Sequence, residues 1–255
     1  MRTLIGIPAR MGASRFPGKP LKPILGLSLI GHVVKRCELS KYGNDVFVAT
    51  CDDVIADEVR GFGGTAVMTP TDIERPGLRV AYAAARMALD PQDIVAIVQG
   101  DEPLIRPEMI DLGIDTLIAN PELFCVNFGA DITPEEIPDI NEVKVVTDLW
   151  DNAMYMSRCP IPYARETAGT YMKQLGIFFF RAGHLAEFQE LEPTPLERAE
   201  SIEMNRAIQH RKLVRMVRSP YPAKGVDTAA DLEFAERLML EDPIYPKYAS
   251  PSSGV

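Results

Sequence analysis

The chain has 255 residues, 46% hydrophobic and 25% charged, with a net charge of −9. That length suits one large or two small domains with a substantial core, and the composition is that of a globular protein rather than a disordered one. The acidic balance argues against a nucleic-acid partner, no stretch nears the roughly 20 apolar residues of a membrane span, and Pro8 and Arg10 break the first apolar run before it reaches the length of a secretory signal, so a cytoplasmic protein is expected.

Apolar runs and amphipathic patterns alternate along the chain. Residues 3–7 read as a strand and 28–39 as a helix. Residues 45–50 are a strand, followed by a helix over 54–60 with Asp53 as its cap and Gly61 as its stop. A short strand at 65–69, a helix at 78–89, a buried strand at 93–99, a helix opened by Pro107 and a strand at 123–128 continue the rhythm. It predicts an α/β fold with a mostly parallel, Rossmann-like sheet covered on both faces. The pattern then changes. Residues 142–148 and 153–157 read as an antiparallel hairpin, 174–180 as a long apolar strand, 182–190 and 195–209 as helices, 212–217 as a strand and 228–240 as a closing helix. The expected organisation is a nucleotide-binding α/β domain from 1–130 and 212–245, an inserted α+β lobe at 131–211 for acceptor binding and dimerisation, and a loose tail at 246–255.

The chemistry concentrates in the loop after the first strand, IPARMGASRFPGKPL at residues 7–21. Gly12, Pro17, Gly18 and Pro20 keep it from becoming helix and expose backbone N–H groups. Arg10, Arg15, Lys19 and Lys22 add charge-assisted donors for phosphate oxygens. In open parallel sheets ligands sit beyond the carboxyl ends of strands, where this loop emerges. The segment reads as a polyphosphate cradle, although it is neither a Walker A loop nor a GxGxxG turn. The cysteines, Cys37, Cys51, Cys125 and Cys159, form no CxxC pair and read as free thiols. His32, His184 and His210 lie on predicted helices and read as structural.

The string PARMGASRFPGKPL resembles the nucleotide-binding signature of sugar nucleotidyltransferases, and in particular the 3-deoxy-manno-octulosonate (Kdo) cytidylyltransferases. Further blocks carry the resemblance along the chain: VQGDEP at 98–103, EVKVV at 142–146, SRCPIPY at 157–163 and GVDT at 225–228. It implies transfer of a cytidylyl group from CTP to a small acidic acceptor, with pyrophosphate leaving, and a homodimer; the apolar strands at 123–128 and 174–180 read either as its contact surface or as ordinary core. It implies that Asp101 and Asp227 hold Mg2+, which favours carboxylate oxygens and retained water. Arg10, Ser14, Arg15 and Lys19 would hold the triphosphate and Gln99 the nucleotide, with Arg10, Lys19, Asp101 and Asp227 as the catalytic set. Glu102 would brace the loop or touch ligand. Arg75, Arg79, Arg158, Arg165, Gln174, Phe178 and Glu203 are the expected acceptor-site residues.

The acceptor half departs from the family pattern. Where the family carries His-x-Ser-Gly-Thr-x-Arg, residues 73–79 read IERPGLR, and only Arg79 survives. The family's HxGIYxYR strand reads QLGIFFFR at 174–181, so Gln174 replaces a histidine, and Phe178 and Phe180 replace hydroxyl-bearing rings. In the helix ESIEMNR at 200–206, Met204 replaces a glutamine. A site that loses hydrogen-bond partners discriminates strongly against a polyhydroxy substrate. These exchanges leave three acceptors open: a Kdo-like sugar acid, an amino-substituted ulosonic acid, or a phosphonate. A nucleotide-binding regulator without catalysis is the alternative from another class.

Overall fold

The computed structural model describes residues 1–12, 16–166, 171–221 and 225–249. In chain order the elements are β1 (Thr3–Ala9), β2 (Pro23–Ile24), β3 (Leu27–Ser28), α1 (Leu29–Glu38), β4 (Val46–Thr50), α2 (Asp53–Gly61), β5 (Thr65–Met68), α3 (Pro76–Ala84), β6 (Ile94–Ile97), α4 (Pro107–Ala119), β7 (Cys125–Asp131), β8 (Lys144–Thr147), β9 (Ala153–Ser157), β10 (Met172–Arg181), α5 (Ala182–Glu190), α6 (Pro195–Glu200), α7 (Met204–Gln209), β11 (Val214–Arg218) and α8 (Ala229–Glu241). Single 3-10 turns occupy Lys19–Leu21 and Tyr245–Lys247.

Two compact units result. The first comprises the described residues of Thr3–Ala83, Val98–Asp111 and Ala223–Val255. Its strands β1, β4 and β5 pair in parallel, Ile5 opposite Val46 and Phe47 opposite Thr65. β1 and β4 are almost wholly buried, which explains their continuous apolar sequence. Ser28 caps α1 by accepting the Gly31 N–H at 3.3 Å, and Lys35 and Arg36 fill its last turn, favourable against the helix dipole. Its apolar stripe, Leu29, Ile30, Val33, Val34 and Cys37, is buried.

The second unit comprises the described residues of Met1–Arg2, Ala84–Ile97 and Leu112–Pro222. Its strand order is β11-β7-β10-β6, with β11 parallel to β7 and β10 antiparallel to both of its neighbours. β8 and β9 form the expected antiparallel hairpin, attached through β8 to β10. A bulge interrupts β10 between Gln174 and Phe178. Asn127 supports it by donating to the carbonyls of Leu175 and Ile177, both at 2.8 Å.

Several expectations are corrected. Asp52, not Asp53, stands at the N-cap of α2, and its carboxylate serves another partner. The helix read at 78–89 runs Pro76–Ala84, because Pro76 is tolerated at a helix start and Ala88 adopts φ 46° beyond its end. The helix read at 195–209 is two, separated where Ser201 adopts φ 55°. A buried ion pair, Arg206 Nη2 to Glu197 Oε1 at 2.6 Å, ties the halves together. Of the two readings of the strands at 123–128 and 174–180, dimer contact or ordinary core, burial favours core: Cys125, Val126, Phe128, Ile177 and Phe179 have no exposed surface. The start of the chain's last segment is not loose. His32, fully buried, donates from Nε2 to the Ile24 carbonyl at 2.7 Å, so its Nδ1 accepts the Tyr248 hydroxyl at 2.9 Å. The same hydroxyl accepts from Arg36 Nε at 3.1 Å, and Arg36 pairs with Asp242. Burial pushes the His32 pKa down from its ordinary value.

Candidate functional site

The candidate site lies in the first unit and begins at the end of β1. Pro8, Ala9 and Arg10 form one wall of a cavity of about 230 Å³, completed by Lys19, Pro20, Glu74, Pro76, Arg79, Gln99, Gly100 and Asp101. The loop leaving β1 is anchored where the Met11 N–H donates to Asp52 Oδ2 at 2.8 Å. Asp52 was missed by sequence reasoning, because a helix cap and a loop anchor look alike in one dimension. Gly18, with φ 72°, turns the chain into Lys19–Leu21, and the Leu21 N–H returns to the Gly18 carbonyl at 3.0 Å. This turn aims Lys19 inward. Gly100 permits a close approach on the other wall: a Cβ there would lie 2.7 Å from the Pro8 carbonyl oxygen.

Lys19 is the hub. Its Nζ lies 2.8 Å from Asp101 Oδ2 and 3.2 Å from Asp227 Oδ1. The Val226 N–H donates to the Asp101 carbonyl at 2.9 Å, which sets the two aspartate segments side by side. Asp231 fixes the approach to α8. Its Oδ2 accepts from the Asp227 N–H at 3.2 Å and the Thr228 N–H at 3.0 Å, while Thr228 Oγ1 accepts the Asp231 N–H. The cap of α8 is therefore a Thr228–Asp231 capping box, and the Asp227 carboxylate is left facing Lys19. The box was legible as T-x-x-D but was not read from the sequence.

The Lys19 ammonium bridges Asp101 and Asp227, so this carboxylate pair already faces one cation and fits a divalent cation in charge. Among the described residues no three His, Cys, Asp or Glu side chains gather as a metal cage. Two carboxylates suit an ion that completes its shell with water and phosphate oxygens, the habit of Mg2+. Beside them Glu102 is buried, and burial first, then the Asp101 charge, raises its pKa to about 8.

The other expected residues are distributed as follows. Arg10 is exposed at the cavity wall, and Gln99 is half-buried there. Ser14 and Arg15 lie outside the described residues. Arg79 lines the cavity, but its guanidinium donates to Thr69 Oγ1, to the Ile73 carbonyl and to the Pro70 carbonyl at 3.2 Å, bracing the 69–73 loop. Arg75 falls between the lining residues Glu74 and Pro76 and is not itself on the wall. Arg158, Arg165, Gln174, Phe178 and Glu203 belong to the second unit. Arg158 donates through Nε to the Glu200 carbonyl and through Nη1 to the Ile140 carbonyl, both at 2.8 Å. Gln174 donates to Asn127 Oδ1 at 2.9 Å, and Phe178 is buried at the bulge. Arg165 is exposed and Glu203 half-buried at the start of α7. Ala9, Glu74, Pro76 and Gly100 are wall residues that the sequence did not single out.

A parallel α/β unit with a basic loop at a strand end, and two carboxylates bridged by a lysine, is an arrangement suited to handling the phosphates of a nucleotide. The chain matches the cytidylyltransferase family over residues 4–251 and belongs to it. The 3-deoxy-manno-octulosonate cytidylyltransferase of Geobacter sulfurreducens is 40% identical over 240 residues, covering 89% of this chain and 95% of that protein. The 8-amino-3,8-dideoxy-manno-octulosonate cytidylyltransferase of Shewanella piezotolerans is 38% identical, covering 95% of this chain and all of that protein. The structure of CMP:2-keto-3-deoxy-manno-octonic acid synthetase complexed with CTP superposes with a TM-score of 0.88 at 34% identity, over 94% of this chain and 99% of that one. A glucose-1-phosphate thymidylyltransferase from Bacillus anthracis, 14% identical with a TM-score of 0.69, shares the fold alone. The fold is thus the mostly parallel α/β type of the nucleotide-diphospho-sugar transferases, and the protein is a CTP-dependent nucleotidyltransferase. Family membership and these relatives disfavour a non-catalytic regulator and a phosphonate acceptor. No helix among the described residues is long and apolar enough to cross a membrane.

Proposed function

We propose that this protein transfers the cytidylyl group of CTP to a 3-deoxy-octulosonic acid, either Kdo or its 8-amino analogue, and releases pyrophosphate. The observation that carries the reading is the Lys19–Asp101–Asp227 cluster, whose Lys19 and Asp101 stand on the cavity wall with Arg10 and Gln99. Arg10 and Lys19 bind the triphosphate and neutralise charge that builds on it in the transition state. Gln99, at the cavity wall, orients the nucleotide. Ser14 and Arg15 extend the phosphate cradle. Asp101 and Asp227 hold Mg2+, which, when bound, screens the α-phosphate against its anionic surroundings. The acceptor oxygen then displaces pyrophosphate, and the protein's work is alignment and charge screening rather than covalent chemistry. Arg158, Arg165, Gln174, Phe178 and Glu203 are the proposed acceptor contacts within the lobe at 131–211. A homodimer in the cytoplasm completes the reading, checked by light scattering of the purified protein.

The test is pyrophosphate release with CTP and Mg2+ in the presence of Kdo or 8-amino-Kdo. Turnover with one or both, and none with GTP or without acceptor, is expected. Absence of turnover with both acids overturns the assignment.

A further inference from the structure

Lys19 occupies an unusual place for a phosphate-binding lysine. Its side chain is only 11% exposed, and two of its three N–H directions are taken by Asp101 Oδ2 and Asp227 Oδ1. Those are the carboxylates that hold a divalent cation in the reading above, on which this inference rests. The two aspartate side chains remain 35% and 45% exposed, so their charge is reachable from solvent. A cation bridging the same pair would meet an ammonium within a few ångströms. Like charges that close, with the lysine side chain withdrawn from water, repel strongly.

We propose that Lys19 is an internal competitor for the cation site, so that divalent-cation binding and triphosphate binding are coupled through the position of its ammonium. Alone, a cation must displace Lys19 from at least one carboxylate. A triphosphate offers new oxygens to the ammonium, whose flexible four-carbon stem can swing away from the 3-10 turn that carries it. The displaced lysine then contributes to phosphate binding while the carboxylates turn to the cation. Reciprocity requires that each ligand favour the other by the same factor. A lysine suits this exchange better than an arginine, because a rotatable point charge changes partners without the fixed fork of a guanidinium.

The experiment is Mn2+ binding to the full-length protein, followed by electron paramagnetic resonance in the absence of nucleotide. Lys19→Gln and Lys19→Met remove the charge, and Lys19→Arg keeps it. Binding about tenfold tighter in the two neutral variants than in wild type is expected, within the usual range of coupling between sites, with Lys19→Arg remaining near wild type. A merely structural role for the bridge would move the charged and neutral variants alike. Asp101→Asn identifies the site, since it abolishes the binding measured. Unchanged or weaker Mn2+ binding in the neutral variants, with Asp101→Asn still abolishing it, overturns the competition alone. Wild-type Mn2+ affinity in Asp101→Asn overturns the metal reading together with the competition.

Discussion

Replacing Tyr248 by Phe removes one oxygen and leaves the ring in place. That oxygen donates to His32 Nδ1 at 2.9 Å and accepts from Arg36 Nε at 3.1 Å. Both partners are fully buried, so neither gains water when the hydroxyl goes. A neutral hydrogen bond contributes about 1 kcal/mol net and one to a charged group about 1.5–3 kcal/mol. Tyr248 itself is half-buried, which lets water reach its edge and brings the total below that sum, to about 2 kcal/mol. For a chain of this size that corresponds to a melting-temperature drop of about 4–8 °C. The assay is thermal and urea unfolding of Tyr248→Phe beside wild type, with turnover at 25 °C as a control. Turnover within about twofold of wild type is expected, because Tyr248 lines no part of the cavity. A melting temperature within about 1 °C of wild type refutes a stabilising role for the Tyr248 hydroxyl.

Four further outcomes follow from named contacts. His32 has a folded-state pKa pushed below its ordinary value by burial, so the unfolded chain binds the extra proton first; stability is full above about pH 6.5 and falls as pH drops, by up to about 1.4 kcal/mol per pH unit, and His32→Gln lowers that slope in urea titrations across pH 5–8. Gly100→Ala places a methyl 2.7 Å from the Pro8 carbonyl; it costs about 1–3 kcal/mol of stability and lowers turnover by displacing Asp101, whereas wild-type values for both would contradict the wall geometry. Glu197→Gln leaves the buried Arg206 guanidinium with a neutral partner and costs about 3 kcal/mol or more in denaturant unfolding, with cytidylyl transfer retained at low temperature. Asp231→Ala removes the capping box and the acceptor for the Asp227 N–H; about 1 kcal/mol of stability is lost and the Mn2+ affinity of the site falls, while an unchanged affinity would show that Asp227 is positioned by other contacts.

The local grammar of the chain was legible without coordinates. The alternation of buried strands and amphipathic helices, the Ser28 region opening α1 and the hairpin at β8–β9 are short-range patterns, and the structure reproduces them within a few residues. The basic loop at the end of β1 was legible as a concentration of charge, whereas the QGDEP and GVDT segments stood out through the family resemblance. Tertiary structure alone decided which charges face one another. Lys19, Asp101 and Asp227 meet across separations of 82 and 208 residues, a convergence that no local periodicity encodes. Tertiary structure likewise engaged Arg79 and Arg158 with backbone carbonyls, and gave the carboxylate of Asp52, at the N-cap of α2, the Met11 N–H of the loop after β1 as its partner. A charged side chain satisfies whichever partner the fold brings within about 3 Å, and the sequence states the charge but not the partner.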